Sequence, residues 1–194
     1  MSPWRARLLV PYALVANAVV QALLVLPDPV PSWDLGFVLG ALVSAAAWLA
    51  TYAIVVARAL CSRGELPWPL LRANRWRFAA WTVAWSVVVF VALLPWSGIL
   101  GLLVFAATPY VGIAAMSGAV NPVAANFRAI GRAPLGFAWR IVVFALLLVV
   151  VFVAVALSAF FVTGVLAAFV NSLVIGLLGW LITHSFAREY RSTT

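Results

Sequence analysis

A serine hydroxyl becomes a nucleophile when a histidine can take its proton. The pair to test is Ser117, in Ala115-Met116-Ser117-Gly118, and His184, the only histidine of the chain. A second constellation is neutral. Asn17 and Gln21 stand four residues apart, so both amides project from one face of a helix, and Asn171 with Ser172 lie towards the other end of the chain. Such groups either line a path for a small neutral or amphiphilic solute or join helices through hydrogen bonds of about 1 kcal/mol or less each. Other chemistry is missing. All twelve basic residues are arginine, so neither a Walker-type phosphate loop nor a Schiff-base lysine is present. Asp28 and Asp34 share a loop with no histidine beside them, which reads as two solvated carboxylates and not as a metal site. No cofactor motif is present, and no catalytic set is expected.

These groups sit in a chain of 194 residues that is 67% hydrophobic and only 8% charged, with a mean hydropathy of +1.18. A soluble domain would carry roughly three times that charged fraction. The expected solvent is therefore a bilayer, and the length suffices for about six helices of roughly 20 residues with short connections. The single cysteine, Cys61, excludes an intramolecular disulfide.

Apolar runs divide the chain into six spans, at about 8–26, 35–57, 78–94, 99–120, 138–161 and 165–186. Span one exceeds a signal-peptide core and lacks a following cleavage site, so it reads as uncleaved. Pro27 to Asp34 and Pro95-Trp96-Ser97-Gly98 make short outer turns, Thr163-Gly164 allow an immediate return, and Pro109 should kink span four, leaving backbone groups that a neighbouring helix must satisfy. Asn121 can cap a short helix, Pro122 suits its first position and Gly131 its stop. Val123, Phe127 and Ile130 share one side of it while Arg128 and Arg132 point away, as in a helix lying in the headgroup region. Gly36, Gly40 and Ser44 give span two a small-residue face for close packing.

The arginines decide orientation. Arg5 and Arg7 precede span one, Arg58, Arg63, Arg72, Arg75 and Arg77 follow span two, Arg128 and Arg132 precede span five with Arg140 at its very start, and Arg188 and Arg191 follow span six. Alternate connections hold all of them, which predicts a cytoplasmic side that carries both termini. Trp4, Trp68, Trp76, Trp81 and Trp139 fall near that interface and Trp33 and Trp96 near the opposite one, the positions of an aromatic belt. The net charge of +8 is thus explained without nucleic acid, and anionic headgroups are its natural partners. No Asp, Glu, Lys or Arg is expected at depth, which argues against a coupled pump.

Serine on span four and histidine on span six superficially resemble the dyad of rhomboid intramembrane proteases. The departures are plain: the run is Ala115-Met116-Ser117-Gly118 and not Gly-x-Ser-Gly, no glycine motif follows His184, and both residues fall near the inner side. A second resemblance runs from about residue 63 to 140. Arg63-Gly64-Glu65-Leu66-Pro67 before a basic segment, the Pro95–Gly98 turn, and Asn121-Pro122 leading to Ala125, Arg128, Gly136 and Trp139-Arg140 resemble six-span bacterial membrane proteins of the YciC type and the membrane domains beside some glycerophosphodiester phosphodiesterases. That resemblance implies six spans and no particular activity.

The expectation is one all-α polytopic domain over residues 1–194 in a bacterial plasma membrane. It has three antiparallel hairpins with both termini inside and an interfacial helix before span five. The expected role is a non-enzymatic scaffold or accessory subunit, its Arg72, Arg75, Arg77, Arg128, Arg132 and Arg140 meeting anionic lipid, a membrane-protein partner or a second copy. The alternatives are a permease lined by Asn17, Gln21, Asn171 and Ser172 and, more remotely, a Ser117–His184 hydrolase.

Overall fold

A computed structural model describes residues 3–26, 34–61, 65–93, 99–158 and 162–193, and among these residues every regular element is an α-helix. The elements are α1 (Pro3–Val25), α2 (Leu35–Leu60), α3 (Trp68–Leu93), α4 (Ile99–Ala107), α5 (Val111–Met116), α6 (Pro122–Arg132), α7 (Pro134–Ser158) and α8 (Gly164–Thr193). Among the described residues, four segments are long and apolar enough to cross a membrane: Leu8–Val25, Leu35–Leu60, Pro134–Leu157 and Gly164–Ser192. At about 1.5 Å per residue each approaches or exceeds the ~30 Å hydrocarbon core. The chain is an α-helical membrane protein. The segments 27–33 and 94–98, expected as outer turns, with Asp28, Trp33 and Trp96, lie outside the described residues, as does Arg63.

Expected spans one, two, five and six fall on these four segments, whereas spans three and four fall on α3 and on α4 with α5, which are not among them, and three expected boundaries differ. Span three begins earlier, because α3 already runs from Trp68 and absorbs the basic segment that precedes the apolar stretch. Span six continues through what reads in sequence as a short basic tail, since nothing in Ala187 to Ser192 stops a helix and α8 extends to Thr193. Span four is not one kinked helix but two short ones. Proline at 109 cannot donate to the preceding turn, and Thr108-Pro109-Tyr110 separate α4 from α5. With nine residues, α4 is only about 14 Å long.

Packing is concentrated at the arginine-bearing end. Val56, Ala57 and Ala59 of α2, Phe78 of α3, Tyr110 with Ile113, Ala114 and Met116, Ala125 and Ala129 of α6, and Phe186, Ala187 and Tyr190 of α8 form one buried core. All six residues of α5 are buried. Small side chains let helices close on α5: a Cβ on Gly112 would stand 2.6 Å from the Tyr52 hydroxyl. A second cluster joins Val10 and Leu14 of α1 to Val55 of α2, with Leu173 and Trp180 of α8 against it. Farther along, residues 145–150 of α7 are all exposed, as apolar side chains facing lipid would be.

The short helix after α5 forms with the expected start. Asn121 Oδ1 accepts from Ala124 N at 3.0 Å and Pro122 occupies the first turn. Its stop is Ala133 and not Gly131, which stays helical without a positive φ. The wheel of α6 has three sides: Pro122, Ala125, Asn126 and Ala129 are buried against the protein, Phe127 stands out on one flank at 55% exposure, and Arg128 and Arg132 are exposed on the other.

Candidate functional site

Ionisable groups buried in a membrane protein are costly and mark the places where structure or function requires them. The one carboxylate buried among the described residues is Glu189. It is there because α8 does not stop: with a helical repeat, Thr183, Phe186, Ala187, Glu189 and Tyr190 turn inward while His184, Arg188 and Arg191 turn out. One oxygen of Glu189 pairs with Arg140 Nη1 of α7, and the other accepts from the Tyr110 hydroxyl at the α4–α5 break. Arg140 also donates from Nε to Ser185 Oγ at 3.1 Å. Three separate segments therefore meet on one carboxylate. The side chain of Glu189 is 5% exposed and that of Arg140 27%, so the pair reaches from the core to the rim.

Aromatic rings wall the group. Tyr110 meets Phe186 edge-on at 5.2 Å between centroids and lies 6.2 Å from Phe137 and 6.0 Å from Tyr190. Phe144 stands 5.1 Å from Phe186. Close approach is possible because position 136 has no side chain: a Cβ on Gly136 would fall 2.6 Å from Glu189 Oε1 and 3.1 Å from Arg140 Nη1.

Asn126 bridges the helix break beside this group. Asn126 of α6 accepts from Tyr110 N at 3.0 Å through Oδ1 and donates through Nδ2 to Ala107 O at 2.9 Å. It thus supplies an acceptor and a donor where the helix lost both. Thr108 Oγ1 donates to Val104 O at 2.6 Å and accepts from Trp85 Nε1 of α3 at 2.7 Å.

The expected site residues are placed as follows. Asn17 and Gln21 do share a face, and Gln21 Nε2 donates to Asn17 Oδ1 at 3.3 Å and to Ser44 O of α2 at 3.4 Å, while Ser44 Oγ donates to Gln21 Oε1 at 2.7 Å. Asn17 is buried, and its Nδ2 has no hydrogen-bond partner among the described residues. Asn171 and Ser172 are half-buried on α8, which packs along α1. Arg72, Arg75, Arg128 and Arg132 are exposed at the rim, and the Arg75 guanidinium lies 5.5 Å from the Trp76 ring centroid. Arg77, also exposed, donates to Gly118 O at 2.8 Å. That carbonyl belongs to a residue at φ +87°, a left-handed position suited to glycine. Arg140, expected at the lipid or partner face, is 27% exposed and pairs with the carboxylate that α8 brings to it.

Ser117 and His184 do not meet as a dyad. Ser117 Oγ donates to Ala114 O at 2.9 Å and lies 3.4 Å from the Tyr190 hydroxyl, whereas His184 is on the exposed side of α8.

Glu189, Tyr110 and Asn126 are absent from the sequence-derived candidates. The detectable signal for Glu189 was its spacing from Phe186 and Tyr190 on one helical face, hidden by the arginines around it. No family model, curated protein or solved structure matches the chain, so its function is argued from this geometry.

Proposed function

We propose that the chain is a non-enzymatic scaffold or accessory subunit of a bacterial plasma membrane that presents its arginine-bearing end to anionic lipid or to a membrane-protein partner. In this reading it crosses the bilayer six times with both termini in the cytoplasm, and α4 with α5 makes the fourth crossing. The observation that carries the proposal is the ring of side chains around that end. Arg72, Arg75, Arg128 and Arg132 are exposed there beside Trp76 and Trp139, which are 76% and 68% exposed. Aromatic rings of this kind favour the headgroup level, and guanidinium groups there attract phosphate.

Two further features support it. The ionisable groups in the core are joined to each other, which suits a rigid end better than a moving proton relay. The Gln21 amide bonds to Asn17 on its own helix and to Ser44 across to α2, as interhelical glue does.

Purification in a mild detergent at low salt tests the reading. A stable assembly carrying anionic phospholipid or a stoichiometric protein is expected, and its anionic lipid should fall when Arg72, Arg75, Arg128 and Arg132 are changed to Gln. A monodisperse monomer free of both would overturn it.

A further inference from the structure

The outward face of α8 carries a second set of basic side chains, on a different helix from the rim arginines. With a helical repeat, Val170, Leu177, Leu181, His184, Arg188 and Arg191 fall within about a quarter of the circumference of α8, and all six are exposed. Other sides of the helix are covered by α1, α2 and α7. The strip is divided along its length. Its apolar part ends at Leu181, and the three basic side chains follow within about 15 Å.

No acid on this helix offsets that charge. Glu189, the only carboxylate of α8, turns inward and is paired with Arg140. Like charges three or four residues apart repel on a helix surface, as Arg188 does with Arg191 and with a protonated His184. The fields of Arg191, Arg188 and Arg58 converge at His184. Arg58 and Glu65 are engaged in interactions of their own and are not counted as ligands. Arg191 Nη1 donates to Cys61 O at 3.5 Å, which holds its guanidinium beside the end of α2. A guanidinium has five donors, so most of them remain for a ligand.

A doubly charged anion relieves this repulsion better than a singly charged one. Arg188 and Arg191 stand one turn apart, with Cβ atoms about 5–6 Å from each other, and each offers a planar fork to one phosphate. The apolar part of the strip decides between a free diphosphate and a lipid. Acyl chains whose phosphates stand at Arg188 and Arg191 would lie along Leu181, Leu177 and Val170, whereas a soluble anion leaves those side chains unused. We infer that this face of α8 binds a phospholipid with two phosphates joined through one glycerol, of the cardiolipin class. Basic patches on the cytoplasmic side suit such headgroups. The inference rests on the reading that this end meets the anionic leaflet, and it adds a lipid class and residues that the rim does not supply.

Delipidated full-length protein in detergent is mixed with cardiolipin, or with twice the amount of phosphatidylglycerol of identical chains so that phosphates and chains match, and bound lipid is read by native mass spectrometry. Cardiolipin should be retained over phosphatidylglycerol by roughly threefold, the scale of one further exposed charged contact. Arg188→Gln and Arg191→Gln, both at exposed positions, should each remove that preference. Inorganic pyrophosphate at the concentration of the lipid should not displace it. Arg72→Gln with Arg128→Gln should lower the binding of both lipids and keep their ratio. Equal retention of the two lipids by the unmodified chain, a preference that survives Arg188→Gln and Arg191→Gln, one abolished by the rim change instead, or displacement by pyrophosphate would overturn the site. The rim reading fails separately, if the Arg72 and Arg128 changes leave the binding of both lipids unaltered.

Discussion

Glu189 joins Tyr110, Arg140 and, through Arg140, Ser185, so its removal acts on three segments together. Breaking one side of a fully buried ion pair costs roughly 3–5 kcal/mol. Arg140 is about a quarter exposed and can turn partly to water, so Glu189→Gln is expected to cost about 1–3 kcal/mol. A lower unfolding midpoint in detergent checks this. Arg140→Met should cost a similar amount, and the double variant should lose less than the sum, since each single change leaves one charge unpaired and the double change leaves none. Gly136→Ala tests the same contact without altering a charge. The new methyl would intrude on Glu189 Oε1 and should lower the midpoint, whereas Gly131→Ala, with open space around it, should not. Little of this was legible in the sequence. A lone acid among Arg188 and Arg191 looks like solvated interface, and only the continuation of α8 turns it inward.

At the scale of elements, the break between α4 and α5 shows how far sequence reasoning reaches. Pro109 announced that backbone groups would be left over and that a neighbour must satisfy them. Which neighbour could not be read, because Asn126 lies in a helix whose grammar pointed to lipid: its cap and proline were legible, but its burial against α5 depends on Ala125 and Ala129 fitting a surface made elsewhere. Asn126→Ala would orphan both Tyr110 N and Ala107 O. At roughly 1–3 kcal/mol per buried unsatisfied group, a loss of about 2–4 kcal/mol is expected. Asn126→Asp separates the two contacts, because a carboxylate still accepts from Tyr110 N but cannot donate to Ala107 O. It should also be destabilised, and hydrogen exchange at Tyr110 should be faster in the alanine variant than in the aspartate variant. Equal exchange in the two would show that the side-chain acceptor does not hold the break.

At the scale of the whole molecule, the helices were legible because bilayer burial demands long apolar runs, and the end that carries the core was marked by arginine. The burial pattern at that end was not, since ionic and amide contacts there join residues distant in sequence. Orientation is the remaining property, and Cys61, the only cysteine, can report it without any mutation. It follows the last residue of α2, half-buried at the arginine-bearing end. If that end faces the cytoplasm, a membrane-permeant maleimide should label Cys61 in intact cells, whereas a charged, impermeant one should label it only after the membrane is opened. Labelling by the impermeant reagent from outside would reverse the proposed topology. The pH dependence identifies the site. Burial pushes the Cys61 thiol up, with Arg58 pulling it down, Glu65 adding to the rise and Arg191 opposing it. The thiolate is the reacting form, so labelling of the folded protein should be slower than that of a free thiol near neutral pH. Its rate should keep rising with pH beyond the point where a free thiol levels off, and denaturation should abolish the difference. A folded protein whose rate levels off with the free thiol would place Cys61 in water and not at the edge of the core.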